Sequence, residues 1–231
     1  MAEPSAFDRE NIKLQPLGPP PGLLDQFNLP PAFVAFVRRN RRPLSIVAVF
    51  GLALALGISG YTTYRDHRAG KAATALDAAL AAGAGSRSQL EQVASEFAAT
   101  PSAVWARIEL ARLDEREGQR AAAIARYEAV NSGLGSGSLV KPLVLIKLAG
   151  LFEQDKQWDR ALALYNELAA IEGFAAEASR AQGRVNEQAG RKAEAAAAYA
   201  KFLELTAPAD GQAKADPERD MIRFKLNQLK K

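Results

Sequence analysis

The chain contains a single histidine, His67, set between Asp66 and Arg68, and no cysteine. Zinc sites in proteins take three or four ligands drawn from His, Cys and carboxylates, so one imidazole beside one carboxylate holds no metal. The serines have no histidine placed to activate them, which removes acyl transfer by a Ser-His-Asp arrangement. Thiolate catalysis and disulfides are excluded outright. The glycine-rich stretch GLGSGS at 133–138 has the small residues of a phosphate loop. It follows a helical pattern rather than a strand, however, and lacks the Gly-Lys-Ser/Thr ending, so it reads as a flexible connection. The carboxylates of ELARLDEREG (109–118) fall three or four residues from arginines, the spacing of solvated ion pairs on one helix face. No two are placed as a buried acid–base dyad. These residues call for no catalytic role, no metal and no cofactor.

Charge narrows the partners. The formal net charge is +4, with 6 basic and 4 acidic side chains in residues 1–64 and 24 and 22 in residues 65–231. Neither part is a basic nucleic-acid module. The one dense cationic group is Arg38, Arg39, Arg41 and Arg42, and it sits immediately before an apolar run. Topology, with contact to anionic lipid, accounts for it.

That run has 22 residues without a charge between Arg42 and Arg65. At about 1.5 Å per residue it reaches about 33 Å, enough to cross a hydrocarbon core of about 30 Å. A cleavable signal has a shorter apolar centre close to the N-terminus; here the run is longer and begins after 43 residues. The expectation is a retained transmembrane helix over 44–64. The positive-inside rule puts the four arginines in the cytoplasm, and Tyr61 and Tyr64 at the far end suit an interface. The N-terminus is then cytoplasmic and residues 65–231 lie outside, which in a bacterial inner membrane means the periplasm. Before the span, residues 1–32 are proline-rich and read as a disordered tail. Residues 33–43 read as a basic juxtamembrane segment, in which PAFVAFVRRNRR suggests a short interfacial helix.

From residue 68 the pattern is helical, and it repeats. WARIELARLDEREGQRAAAIARYEAV from 105, VLIKLAGLFEQDKQWDRALALYNEL from 144 and ASRAQGRVNEQAGRKAEAAAAYAKFL from 178 align. Each has a helix, a polar turn and a second helix carrying Ala and then Tyr four residues on: Ala123/Tyr127, Ala161/Tyr165 and Ala195/Tyr199. The tyrosines recur at intervals of 38 and 34. Alanine permits close helix crossing, and the tyrosine one turn later fills the space toward the next helix. Ala111, Ala149 and Gly183 are the matching small residues on the first helices. Gly118 and Gly190 suit a left-handed turn residue, and Lys156 stands in their place in the middle repeat. A weaker pair is expected over 68–100, with Leu76 and Leu80 on one helix and Val93 and Phe97 on the other. A capping helix is expected over 216–231, with Asp216 as N-cap, Pro217 in the first turn and Met221, Ile222, Phe224, Leu226 and Leu229 as its apolar face.

These residues resemble the tetratricopeptide repeat (TPR), whose usual period is 34. The resemblance implies an all-α solenoid over about 65–215, presenting the first helix of each pair on one surface. A protein-binding groove would then show Trp105, Ile108, Arg112 and Arg116 in the first repeat. The second would contribute Leu143, Ile146, Glu153 and Gln154, and the third Glu177, Arg180, Arg184 and Glu187. An apolar floor with a mixed-charge rim suits a polypeptide partner.

The whole architecture, with basic residues, one span, TPR-like repeats and a terminal helix, is similar to the YfgM family of ancillary subunits of the bacterial SecYEG translocon. That resemblance implies partners: the translocon, nascent exported polypeptides and a periplasmic chaperone. The residues themselves leave two alternatives, a scaffold for cell-envelope assembly or division, and an exported enzyme, which the sparse chemistry disfavours.

Overall fold

The structure is a computed structural model that describes residues 30–208 and 216–229. Up to residue 29 the expected proline-rich tail lies outside the described residues. The chain divides into two compact units, Met1–Tyr64 and Arg65–Lys231, each taken by itself below.

In the first unit, α1 spans Pro31–Arg39, with proline in its first turn and Arg38 and Arg39 in its last. It ends at Asn40, whose side-chain amide donates to the Phe36 carbonyl at 3.0 Å. The next helix, α2, spans Arg41–Ala81. Pro43 lies within its first turn, where a missing N–H costs no intrahelical bond. An 18-residue window of α2 has a mean hydropathy of 2.0 and is wholly exposed, so by length and composition this helix is able to cross a membrane. Two of its hydroxyls are satisfied within the helix: Thr62 and Thr63 both donate to the Ser59 carbonyl at 2.9 Å. An apolar solvent would demand this.

The second unit is a series of helical hairpins. The end of α2 pairs with α3 (Ser86–Glu96) through a short 3-10 turn, Gly83–Gly85. Then come α4 (Pro101–Arg116) with α5 (Arg120–Gly133), α6 (Lys141–Gln154) with α7 (Trp158–Ala169), and α8 (Ala175–Gln188) with α9 (Lys192–Leu205). A last helix, α10 (Pro217–Leu229), packs on α9. No strand occurs among the described residues.

Sequence explains the boundaries. Thr100 caps α4, its hydroxyl accepting from the Ala103 N–H at 3.4 Å, with Pro101 in the first turn. The turns between paired helices share one geometry. Gly118, Lys156 and Gly190 have φ of 75°, 56° and 76°, and the next residue's N–H reaches back at 2.8 Å to the carbonyls of Asp114, Phe152 and Asn186. This is the Schellman closure, which needs a left-handed residue. Asp216 caps α10, its carboxylate accepting from the Glu218 and Arg219 N–H groups at 3.0 and 3.2 Å.

The core follows the repeat. Tyr127, Tyr165 and Tyr199 are 0, 2 and 1% exposed, and Ala123, Ala161 and Ala195 are all 0% exposed. A continuous cluster runs from Ile108 and Val130 through Leu145, Leu148 and Phe152 to Leu168 and Val185. A smaller one joins Leu76, Ala79, Leu90 and Val93 to Ala106 and Leu110 of α4. Here the expected apolar face of the first pair needs correcting: Leu80 is 49% exposed, and Ala72, Ala79 and Leu90 are buried instead. On α10 the inward stripe is Arg219, Ile222, Leu226 and Leu229, at i, i+3, i+7 and i+10 spacing; Met221 and Phe224 lie off it and face solvent. A terminal helix covered on one side only buries one stripe.

Candidate protein-interaction surface

On each first helix of the three clear repeats, the residue three positions before the left-handed turn is a glutamate: Glu115, Glu153 and Glu187. Each accepts the hydroxyl of the buried tyrosine twelve residues later. Tyr127 donates to Glu115 at 2.7 Å, Tyr165 to Glu153 at 2.6 Å and Tyr199 to Glu187 at 2.6 Å. The ring is buried while its polar end is bound, so the phenol carries no unmet polar group. Burial, and then the adjacent carboxylate, push all three phenols above the ordinary tyrosine range.

Cations complete two of these sites. Arg184 of α8 reaches back to Glu153 of α6, Nη2 to Oε1 at 2.8 Å and Nε to Oε2 at 3.1 Å, with Nη2 also 3.3 Å from the Tyr165 hydroxyl. Lys225 of α10 donates to Glu187 at 2.7 Å and lies 5.8 Å from the centre of the Tyr199 ring. Burial alone would raise the Glu187 carboxyl, but the bonds from Lys225 and Tyr199 outweigh it and hold the group below its ordinary range.

Against this lattice, the groove residues read from sequence divide. Ile108 is corrected: it is 1% exposed, inside the main cluster, with Ile146 packed against it. A closely packed repeat covers it, so it is closed to a partner. Glu153, Arg184 and Glu187 are held within the lattice just described. Glu177 chelates Arg180 at 2.6 Å, and Arg180 also meets Glu218 of α10 at 3.0 Å. Arg112 is exposed but held by both oxygens of Glu109, at 2.6 and 2.9 Å. Trp105 and Leu143 are 41 and 38% exposed, at the same position in successive repeats, and Arg116 and Gln154 are exposed beside the turns. The outward surface therefore concentrates on α4 and α6. Arg38, Arg39, Arg41 and Arg42 flank the α1–α2 break, in the first unit.

Sequence reasoning missed Glu115, Lys225 and Asp114. Asp114 is 1% exposed and takes Arg87 of α3 at 2.8 Å and Arg126 of α5 at 2.7 Å, tying three helices together. Two arginines and good geometry are what a buried carboxylate requires. Its repeat equivalents are Phe152, with the Arg160 guanidinium 3.9 Å above its ring, and Asn186, whose buried side-chain oxygen has no protein partner. No group of three or more metal-ligating side chains occurs among the described residues.

Comparison with known proteins agrees with this geometry. The tetratricopeptide repeat-like domain family matches residues 35–231. The chain belongs to that family. A tetratricopeptide repeat protein from Parabacteroides merdae superimposes with a TM-score of 0.52 at 17% identity, over 71% of this chain and 59% of that one. The nearly identical TPR-like repeats of a kinesin light chain candidate from Podosopora anserina give 0.51 at 19% identity, over 71% of this chain and 84% of that one. This chain thus spans under two thirds of the Parabacteroides protein. No curated protein sequence matches the chain. The fold is all-helical and TPR-like, an architecture that typically serves as a protein-interaction scaffold.

Proposed function

We propose that this chain is a membrane-anchored protein-interaction module of the bacterial inner membrane, a binder rather than a catalyst. α2 anchors it, the arginines hold its N-terminus in the cytoplasm, and the repeats stand in the periplasm. There they work beside the SecYEG translocon, holding emerging polypeptides and passing them to a periplasmic chaperone.

The observation that carries this reading is the pairing, in one chain and one family match, of an exposed apolar helix long enough to span a bilayer with TPR-like repeats. Within the repeats, Trp105 and Leu143 remain exposed, while Glu177, Arg180, Arg184 and Glu187 of the third repeat are engaged in ion pairs of the fold itself. An anchor raises the effective concentration of a weak binding surface at the membrane, so modest contacts suffice. The SecYEG and chaperone partners rest on the resemblance to the YfgM family.

Photo-crosslinkers at Trp105 and Leu143, used in intact membranes, test the assignment. Adducts to translocon subunits or nascent chains are expected. Adducts confined to envelope-synthesis proteins would reject the translocon reading, and release of the chain by carbonate extraction would reject the anchor.

A further inference from the structure

The Tyr–Glu pairs form a ladder with one incomplete rung. Glu153 receives Arg184, and Glu187 receives Lys225. Glu115 accepts the Tyr127 hydroxyl at 2.7 Å and, among the described residues, makes no ion pair. The position that would serve it is identified by the repeat itself. Arg184 directly follows Gly183, the small residue of α8; in α6 the residue directly following the small Ala149 is Gly150. Where the third repeat sends a guanidinium back to Glu153 of the second, the second sends none back to Glu115 of the first. A Cβ built on Gly150 would meet no atom within 4 Å, so a side chain placed there would begin without a clash. Arg112, the nearby cation of α4, gives one nitrogen, Nη1, to both oxygens of Glu109 and makes no hydrogen bond to Glu115.

We propose that the open rung is an arginine-binding slot: the guanidinium of an extended polypeptide seats on Glu115 beside the Tyr127 hydroxyl, as Arg184 seats on Glu153. This rests on the reading of α4 and α6 as a polypeptide-binding surface and adds the chemistry of what binds. Charge complementarity selects a cation. The inter-repeat rung, the one Gly150 would mirror, favours arginine over the lysine that the terminal helix supplies to Glu187, since Arg184 uses two nitrogens of its fork on both carboxylate oxygens, a geometry an ammonium does not reproduce. The same stripe of α4 begins at Trp105, ten residues and hence about 15 Å before Glu115. An extended chain at about 3.3 Å per residue covers that distance in four or five residues. The ligand is therefore an extended segment with an apolar side chain for Trp105 and Leu143 and an arginine four or five positions away.

The test uses the full chain in detergent micelles and two labelled synthetic peptides. Both have a Ser/Ala background with one leucine; five residues on, one carries arginine and the other glutamine. Fluorescence anisotropy should give the arginine peptide roughly tenfold tighter binding, the scale of one charge-assisted contact. Glu115→Gln should erase the difference. Gly150→Arg, which supplies the missing rung from within the chain, should erase it as well, while Gly150→Ala should leave it intact. Circular dichroism of each variant controls for folding. Equal binding of the two peptides, or binding of neither, overturns the slot. The module reading then stands or falls separately on the crosslinks at Trp105. A change in oligomeric state on Gly150→Arg, without loss of peptide discrimination, also overturns it and assigns the position to a second copy.

Discussion

The Tyr165 hydroxyl donates to Glu153 at 2.6 Å across twelve residues of sequence, from the second helix of a hairpin back to the first. Arg184 of the next hairpin closes on the same carboxylate at 2.8 Å. One glutamate therefore fastens its own repeat and joins the following one, with the aromatic ring packed beneath. Tyr165→Ala removes both ring and hydroxyl and should cost about 3–5 kcal/mol, the range for a buried aromatic truncated in a core that cannot collapse. Tyr165→Phe keeps the ring and should cost only about 1–2 kcal/mol, since Arg184 still satisfies the carboxylate. Urea unfolding in micelles, followed by circular dichroism, separates the two. Equal losses would mean that the hydroxyl, not the ring, dominates.

Acid should loosen the C-terminal cap. Glu187 is held below its ordinary range, because Lys225 and Tyr199 outweigh the burial that opposes them. The unfolded chain then binds a proton more readily than the folded one. The sign follows: the contribution is present above the unfolded value of about 4.3 and is lost as pH falls through the lower folded value. Lys225→Met should destabilise the protein near neutral pH, and the deficit relative to wild type should shrink below about pH 4. A deficit independent of pH would show that Lys225 acts through packing on Tyr199 alone.

The turn after α6 should tolerate improvement. Lys156 has a φ of 56° where the other two repeats have glycine, and a side chain in the left-handed region costs about 1–2 kcal/mol. Lys156→Gly removes that strain at some cost in unfolded-state entropy, for a net gain of about 0.5–1 kcal/mol. A higher urea midpoint with unchanged slope checks it. Destabilisation would mean that the Lys156 side chain makes a compensating contact.

The repeat itself was legible because its chemistry is local. Ala161 and Tyr165 one turn apart, Lys156 in a glycine's place and Asp216 before Pro217 each report on a few neighbouring residues, and the structure has them in the geometry these local patterns imply. Ile108 was not legible, since its helical spacing matches both the outward stripe and the inter-repeat seam, and only packing decides between them. Leu80, Met221 and Phe224 were misassigned to core faces for the same reason. The glutamates at Tyr minus twelve are present in all three repeats, yet Glu115, with Arg112 three residues away, reads as a solvated charge, and Glu153 and Glu187 read as groove residues; nothing local shows the tyrosine partner. Lys225 meeting Glu187 is a contact across 38 residues that no local pattern carries.

Gly183 is where the ladder allows least change. A Cβ there would lie 2.4 Å from both Cδ1 and Cε1 of Tyr199 and 2.9 Å from its Cγ, whereas Ala111 and Ala149 occupy the same position in the other repeats. The obstacle is a buried ring, not the free end of a flexible chain, and the ring is also held at its hydroxyl by Glu187. Helix propensity favours alanine over glycine by about 1 kcal/mol, so propensity and packing predict opposite signs for Gly183→Ala. Packing should win, because overfilling a close contact costs about 1–3 kcal/mol and displacing Tyr199 also strains its bond to Glu187. The expected net result is a loss of up to about 2 kcal/mol. Gly183→Ala in a Tyr199→Leu background, where the ring is absent, should recover the propensity gain and become neutral or stabilising. If the substitution is equally harmful in both backgrounds, the contact with Tyr199 is not its cause.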